Sequence, residues 1–588
     1  MSDDTPYSRP MQLRRMPAFS RMLRLSTPSR ADLIALLLLG GIGVMLFRGA
    51  EGVAQPLSQL RLEPVTLDPA NLPGYALRTT LRMFAALFAS LIFTFTYATL
   101  AAKSRWAEQI LIPALDILQS IPIFGFLTFT VTFFMNLFPG QTLGVELAAV
   151  FAIFTSQAWN MAFSFYQSLR TIPGDLAEVS EGFALSPIRR FIRLEVPYAT
   201  PSLVWNAMMS MSGGWFFVVV SEAITVGNTT VTLPGIGSYL ALAIQHSNVA
   251  AVVYAVIAMG VVILAYDQLV FRPVVAWADR FRVEMTASAD KPSSWAYDLF
   301  RKTRAFQWLF QVFEWPAMLL LVFDRRAGTI QRPARRTFVS EKVANALWQA
   351  TVAIGVFAAV WAVFSYVHHA LSGHDFLVAF GMALVTLVRV LVLIAIASVI
   401  WVPIGVWIGL RPAWAERLQP IAQFLAAFPA NVVFPFAVIL VLRFHLNHDI
   451  WLSPLMILGT QWYILFNVIA GASAIPNDLR EAAGMFGVKG WLWWRQVVIP
   501  AIFPYYVTGA LTASGGSWNA SIVTETVVWG SHQITATGLG SYIAAATTAG
   551  DYPRVALGIA MMSIFVVALN RTLWRPLYAY GERRMRLA

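Results

Sequence analysis

The 588-residue sequence contains no cysteine. Disulfides, thiolate metal sites and cysteine nucleophiles are therefore excluded, and the redox compartment leaves no mark. Charge is scarce too. Asp, Glu, Lys and Arg make up 12% of the chain, about half the fraction usual in a soluble protein. The phosphate-binding pattern G-x-x-x-x-G-K-[S/T] is also missing. Gly484-Met485-Phe486-Gly487-Val488-Lys489-Gly490 approaches it, but neither Ser nor Thr follows the lysine. Nucleotide hydrolysis of the P-loop type is thereby excluded from this chain.

What is present is hydrophobic. Apolar residues make up 58% of the chain, and the mean hydropathy is +0.63. A bilayer core needs about 20 apolar residues per helical span. Runs of that order recur between short polar segments, which implies helices and not a barrel. Spans are expected near 31–47, 80–102, 116–138, 143–166, 201–222 and 249–271, then near 343–367, 385–410, 421–442, 453–472, 501–528 and 553–573. The fold class is an all-α polytopic membrane protein of about 12 transmembrane helices, with both termini on one side. Lys103, Arg105, Arg189, Arg190, Arg193, Arg411, Arg417, Arg571 and Arg575 fall on that side, as do Arg583, Arg584 and Arg586. Basic loops mark the cytoplasmic face. The net charge of +12 therefore points to lipid, and nucleic acid is not expected as a partner.

Five segments are expected: a basic cytoplasmic arm 1–30, a first transmembrane half 31–275, a connector 276–342, a second half 343–575 and a basic tail 576–588. The arm carries Arg9, Arg14, Arg15, Arg21, Arg24 and Arg30. It suits anionic lipid and has the wrong order for a cleaved signal peptide. The connector's centre, Trp308–Phe323, is apolar but contains Glu314 and Pro316, with basic residues on both sides. An interfacial or re-entrant helix is expected there.

The sequence repeats itself. Ile172-Pro173-Gly174-Asp175-Leu176-Ala177-Glu178 matches Ile475-Pro476-Asn477-Asp478-Leu479-Arg480-Glu481, an offset of 303 residues from Ile172 to Ile475. The same offset pairs Pro197 with Pro500, Gly213 with Gly516, Trp215 with Trp518 and Glu222 with Glu525. It also pairs Gly235-Ile236-Gly237-Ser238-Tyr239 with Gly538-Leu539-Gly540-Ser541-Tyr542. One register across a loop, a span and the next loop means that the halves are parallel six-helix repeats.

Between spans four and five, and again between ten and eleven, each copy can form two short helices around a turn. Pro173 and Pro476 suit a first helical turn, with Asp175, Glu178, Asp478 and Glu481 near the positive helix end. The turns fall near Ala184, Leu185 and Ser186, and near Gly487, Val488 and Lys489. Ser186 before Pro187 is a candidate N-cap.

This loop resembles the EAA motif of ABC importer permeases, the family with MetI-like transmembrane domains. Glu481, Ala482, Ala483, Gly487, Ile499 and Pro500 fit the pattern, whereas the first copy has Val179, Ser180 and Ala184 where Ala, Ala and Gly are usual. The resemblance implies that each loop is a coupling helix seated in a separate ATPase subunit. ATP and Mg would then be bound by that ATPase dimer, and no cofactor or catalytic residue by this chain. It further implies a periplasmic or extracellular substrate-binding protein and a multi-pass position in the bacterial inner membrane.

For the pathway, Ser212-Gly213-Gly214 and Gly515-Gly516-Ser517 are small-residue interruptions near mid-bilayer. They point to a substrate route or to close helix packing. Trp215 and Glu222 share one helix face two turns apart, as do Trp518 and Glu525; Asn519 lies beside this face. An ionisable group in the membrane is a functional candidate, and a hydrogen-bonded carboxylate at the outer edge is the alternative. Trp, Glu and a following Gly-x-Gly resemble the nitrate/sulfonate/taurine-type branch, which imports small oxyanions, sulfonates or related compounds. Two carboxylates beside the route oppose an anion unless Arg82 and Arg389 compensate. His368, His369, His374, His445 and His448 lie in loops, and no metal is expected at them. A 12-span secondary transporter is the competing reading. A membrane scaffold or sensor is a third, and it leaves the doubled loop unexplained.

Overall fold

The computed structural model describes residues 65–119, 123–139, 141–226, 229–281 and 341–584. The arm 1–30, the expected span 31–47 and residues 282–340 of the connector lie outside them.

Helix α1 (Leu72–Lys103) buries Met83, Ala86, Ser90, Thr94, Ala98 and Ala101, a stripe at helical spacing. Phe88, Ile92 and Leu100 stay exposed, as suits a face turned to lipid. After α2 (Arg105–Leu118) and α3 (Ile123–Leu137) comes α4 (Thr142–Arg170). It buries Ala148, Ala149, Ala152, Thr155, Ala158 and Ala162, and packs against α1 and against α6 (Pro187–Ser221). Small residues let helix backbones approach, which is how helices gain contact where lipid is as apolar as leucine. The short α5 (Gly174–Gly182) precedes α6. An antiparallel hairpin follows, β1 (Ala223–Val226) with β2 (Thr229–Thr232). α7 (Ile236–Gln245) and α8 (Val249–Phe281) complete the first half.

The second half contains α9 (Glu341–Ala370), α10 (Gly373–Gly409), α11 (Pro412–Ala427) and α12 (Phe434–Arg443). Next come α13 (His448–Leu458), α14 (Gln461–Ser473), α15 (Asn477–Met485) and α16 (Gly490–Thr524). A second hairpin, β3 (Thr526–Trp529) with β4 (His532–Thr535), leads to α17 (Leu539–Ala549) and α18 (Tyr552–Gly581). The offset of 303 is kept to the residue: α5 begins at Gly174 and α15 at Asn477, β1 at Ala223 and β3 at Thr526, α8 at Val249 and α18 at Tyr552. Even the π-helical turns match, Phe191–Glu195 with Trp494–Val498.

Among the described residues eight helices are long and apolar enough to span a membrane, or ten if two bent pairs each count once. Twelve were expected. One of the other two is 31–47. The other, 116–138, divides into α2 and α3. The equivalent span of the second half bends by 75° between Ala427 and Ala430. Phe428 there is extended (φ −70°, ψ 124°), the conformation a following proline, Pro429, imposes. Two boundaries also shift. Helix α8 runs on to Phe281, into the expected connector, and α18 runs on to Gly581, into the expected tail. The two hairpins were not anticipated.

The halves meet through α6 and the bend. Ser212 Oγ donates to the Ala426 carbonyl (2.6 Å), and Asn431 Nδ2 to the Phe216 carbonyl (3.0 Å). At the hairpin end, Gly530 N donates to the Ile244 carbonyl of the other half (2.9 Å).

Candidate functional site

Three places collect the candidate residues: a buried ionic knot in each half, a cavity between the halves, and the two loop helices.

Glu222 follows the last residue of α6 and is fully buried. It accepts from Thr79 Oγ1 (2.7 Å), Arg82 Nη1 (2.7 Å) and Gly237 N (2.7 Å). Arg82 also grips Glu146 with Nε (2.6 Å) and Nη2 (2.7 Å), and donates to the Pro234 carbonyl (3.0 Å). The planar guanidinium suits such a fork. Glu525 repeats the plan, accepting from Thr386 Oγ1 (2.9 Å), Arg389 Nη1 (2.6 Å) and Ser541 N (3.0 Å). Each carboxylate thus satisfies one backbone N–H at the start of α7 or α17, and the threonine hydroxyl beside it satisfies another, where a helix needs acceptors.

This explains the Gly-x-Gly. A Cβ on Gly235 would lie 2.2 Å from the Glu222 carboxylate, and one on Gly538 2.3 Å from that of Glu525. Trp215 and Trp518 are likewise buried within their halves, each 1% exposed. None of Trp215, Glu222, Trp518 and Glu525 lines the cavity between the halves: the carboxylates are held by Arg82 and Arg389, and the indoles pack on Tyr266 and Phe565. Arg82 and Arg389 compensate the carboxylates directly and do not snorkel.

That cavity has a volume of about 250 Å³. Gly213, Gly516 and Asn519 line it, together with Trp159, Asn160, Tyr463, Asn570 and Trp574. Among the described residues its lining contains no Asp, Glu, Lys, Arg or His. The interruptions expected at Gly213 and Gly516 do not occur: α6 and α16 run unbroken through both. Mid-helix glycine keeps its backbone hydrogen bonds, so it thins the helix without ending it.

In the loops, α5 and α15 each span nine residues. Pro173 and Pro476 are their N-cap residues, one position earlier than expected. Glu178 and Glu481 are exposed, Ala482 is half-buried and Ala483 is buried. The turn residues Ala184 (φ 46°) and Gly487 (φ 66°) are both left-handed. Ser186 caps the next helix, accepting from Arg189 N (3.3 Å). Leu185 and Val488 are half-buried, and Lys489 is exposed. Phe183 and Phe486, equivalent across the repeat, are 76% and 85% exposed, so each loop presents an apolar knob.

The loops are anchored differently. Glu195 at the base of α6 is buried and pairs with Lys103 (2.8 Å) and Arg190 (3.4 Å), and Arg190 lies 3.5 Å from Glu181 of α5. In the second half Ile475, Ala483, Val497 and Ala501 form an apolar cluster at that place. The left-handed region costs an L-residue about 1 kcal/mol or more, and Ala184 bears that cost while Gly487 does not. Ala184→Gly is therefore expected to slow proteolysis of the first loop, and Gly487→Ala to hasten that of the second. Limited trypsin digestion of the full chain checks both.

The sequence pattern of the binding-protein-dependent transport system inner membrane components matches residues 86–272 and again residues 401–587. The chain belongs to this family. Among curated members it is 30% identical over 151 residues to the bicarbonate transport system permease protein CmpB of Synechococcus elongatus, 26% of this chain and 53% of that protein. It is 27% identical over 185 residues to the nitrate import permease protein NrtB of Leptolyngbya laminosa, 32% of this chain and 63% of that protein. It is 23% identical over 193 residues to the glycine betaine transport system permease protein OpuAB of Bacillus subtilis, 33% of this chain and 63% of that protein. The chain thus spans between about half and two thirds of the length of the inner membrane components it matches.

Sequence reasoning named Arg82 and Arg389 of this inner membrane component as compensating charges but missed Thr79 and Thr386, which sit three residues before them on the same helix face. A T-x-x-R in both halves was a visible signal. Trp159 and Trp574 carried none, since an indole in an apolar helix reads as core. The loop histidines yield no metal site: among the described residues no group of three or more His, Asp or Glu could hold one. Asp375 instead caps α10 at Ser372 and pairs with Arg554 (3.1 Å). Asp449 accepts from Thr537 N (2.6 Å).

Proposed function

We propose that the chain is the membrane-spanning permease of an ATP-driven importer. Its loops around Glu178 and Glu481 engage separate ATPase subunits, which bind ATP and Mg. A substrate-binding protein delivers a small polar or anionic solute to the hairpin face. The two halves then rock about the cavity lined by Gly213, Gly516 and Asn519 as the ATPase dimer closes and reopens. The basic residues gathered at the loop end make that end cytoplasmic, with both termini there, in the bacterial inner membrane.

The observation that carries this reading is the pair of loop helices. Two equivalent helices at the same end of a duplicated family fold expose the apolar knobs Phe183 and Phe486. Exposed apolar surface of that kind marks a partner site. A secondary transporter is disfavoured because, among the described residues, the cavity lining offers no carboxylate or histidine for a coupling ion. The relatives' printed substrates, bicarbonate, nitrate and glycine betaine, favour a small solute bearing oxygen acceptors.

The test is co-purification of an ATPase activity with the tagged chain from native membranes. Glu481→Ala is expected to lower the recovered activity about tenfold, the range of an interface hot spot. Glu178→Ala is expected to lower it less, because the first loop is tied back by Arg190. Equal losses would contradict the inequality. Wild-type chain without any associated ATPase would overturn the importer reading.

A further inference from the structure

The cavity between the halves carries more hydrogen-bond donors than the described residues satisfy. Trp574 is 5% exposed and Ser210 is 3% exposed. Trp574 Nε1, Ser210 Oγ and Trp159 Nε1 are all buried without a partner among the described residues, and all three residues line this one cavity. Buried polar atoms in folded proteins are nearly always paired. An indole N–H can only donate, so whatever satisfies Trp159 and Trp574 must bring acceptors.

We infer that this cavity is a binding station for a small oxyanion, held by the indole N–H groups of Trp159 and Trp574 and the hydroxyl of Ser210. The inference rests on the importer reading above and names the solute class that passes. The size agrees: about 250 Å³ equals about eight water volumes, enough for an anion of a few heavy atoms with part of its hydration shell. The electrostatics agree too. With no basic side chain among the described lining residues, dipoles hold the anion, and a pathway site must be weak enough to release its occupant. A cation would meet the positive ends of two indole N–H dipoles and no carboxylate. Asn570, whose Oδ1 also lacks a partner among the described residues, can accept from a hydrogen-bearing oxyanion such as bicarbonate.

The station is single despite the duplication. At the offset of 303, Ser210 corresponds to Ala513 and Trp574 to Phe271. Asn570 corresponds to Asp267, which is tied to Arg272 at 3.1 Å. Trp159 corresponds to Trp462, which does not line the cavity, so the donors are contributed unequally by two diverged halves.

The test is thermal unfolding of the full chain in nanodiscs of neutral lipid, titrated at constant ionic strength with sodium bicarbonate, sodium nitrate or choline chloride. Saturable stabilisation by an oxyanion is expected, and none by choline. Trp574→Phe and Trp159→Phe are expected to raise the half-saturating concentration about tenfold or more, as loss of a hydrogen bond to a charged group does. Ser210→Ala removes only an oxygen, so it should leave the unliganded melting temperature in place and still weaken binding. A linear salt effect, equal stabilisation by choline, or unchanged half-saturation in all three variants would overturn the station. Each of those results is compatible with intact ATPase co-purification, so the station can fail while the importer reading stands.

Discussion

Arg82→Ala is expected to destabilise the first half by about 3–5 kcal/mol, the cost of removing one partner from a buried ion pair. The guanidinium makes four hydrogen bonds, two to Glu146, one to Glu222 and one to the Pro234 carbonyl, and Glu222 in turn accepts from Gly237 N at the start of α7. Without it, Glu222 is left fully buried, and the remaining bonds from Thr79 and Gly237 cannot balance a charge. Arg82→Lys is expected to rescue little, because one ammonium cannot reproduce the fork. Arg389→Ala is expected to cost less. Its second acid, Asp449, is 51% exposed and 3.6 Å away, so water takes over that half of the knot. Thermal unfolding of the full chain in detergent ranks the three variants. Adding Glu222→Gln to Arg82→Ala should recover part of the loss, as residues in one network are non-additive. An Arg82→Ala protein that melts with the wild type would refute the structural role given to the knot.

Much of this was legible in the sequence, for reasons that can be named. Hydrophobic runs and a constant offset between Ile172 and Ile475 reveal helices and duplication, because lipid demands the first and a shared register the second. The loop motif is legible because its turn needs a left-handed residue, so glycine at Gly487 stands out. What stayed hidden depends on which way a helix faces. Trp215, Glu222, Trp518 and Glu525 satisfy every sequence criterion for pathway residues. They nevertheless lie outside the cavity lining: Glu222 and Glu525 pair with Arg82 and Arg389, and Trp215 and Trp518 pack on Tyr266 and Phe565. A membrane helix is apolar all round, so periodicity does not separate its lipid face, core face and cavity face. Trp574 and Trp159 are the converse case. They look like packing residues and become candidates only when their nitrogens are seen to lack partners among the described residues. The bend at Phe428–Pro429 was hidden for another reason: composition alone reads 421–442 as one span.

The glycines give the sharpest separation between the two kinds of small residue. Gly237→Ala is expected to be among the most damaging single changes, at about 3 kcal/mol, the upper end of overpacking. The added carbon would lie 2.2 Å from the Val219 carbonyl oxygen and 2.8 Å from that residue's carbonyl carbon. These are backbone atoms of α6, so no rotamer change relieves the contact, and α7 must lift away. Lifting α7 also breaks the bond from Gly237 N to Glu222 and exposes the knot to water. Gly540→Ala should behave alike, with the Ser521 backbone at 2.4 Å. Gly213→Ala should do the opposite. Its nearest atom is the Tyr463 hydroxyl at 3.8 Å, ordinary contact. Alanine gains about 1 kcal/mol over glycine inside a helix, so the variant should melt no lower than wild type, while the narrowed cavity slows solute uptake. Melting and uptake measured on the three variants thus distinguish packing glycines from cavity glycines. A Gly213→Ala protein that loses as much stability as Gly237→Ala would mean that α6 needs its glycine for packing, and that the cavity is not where the two halves part.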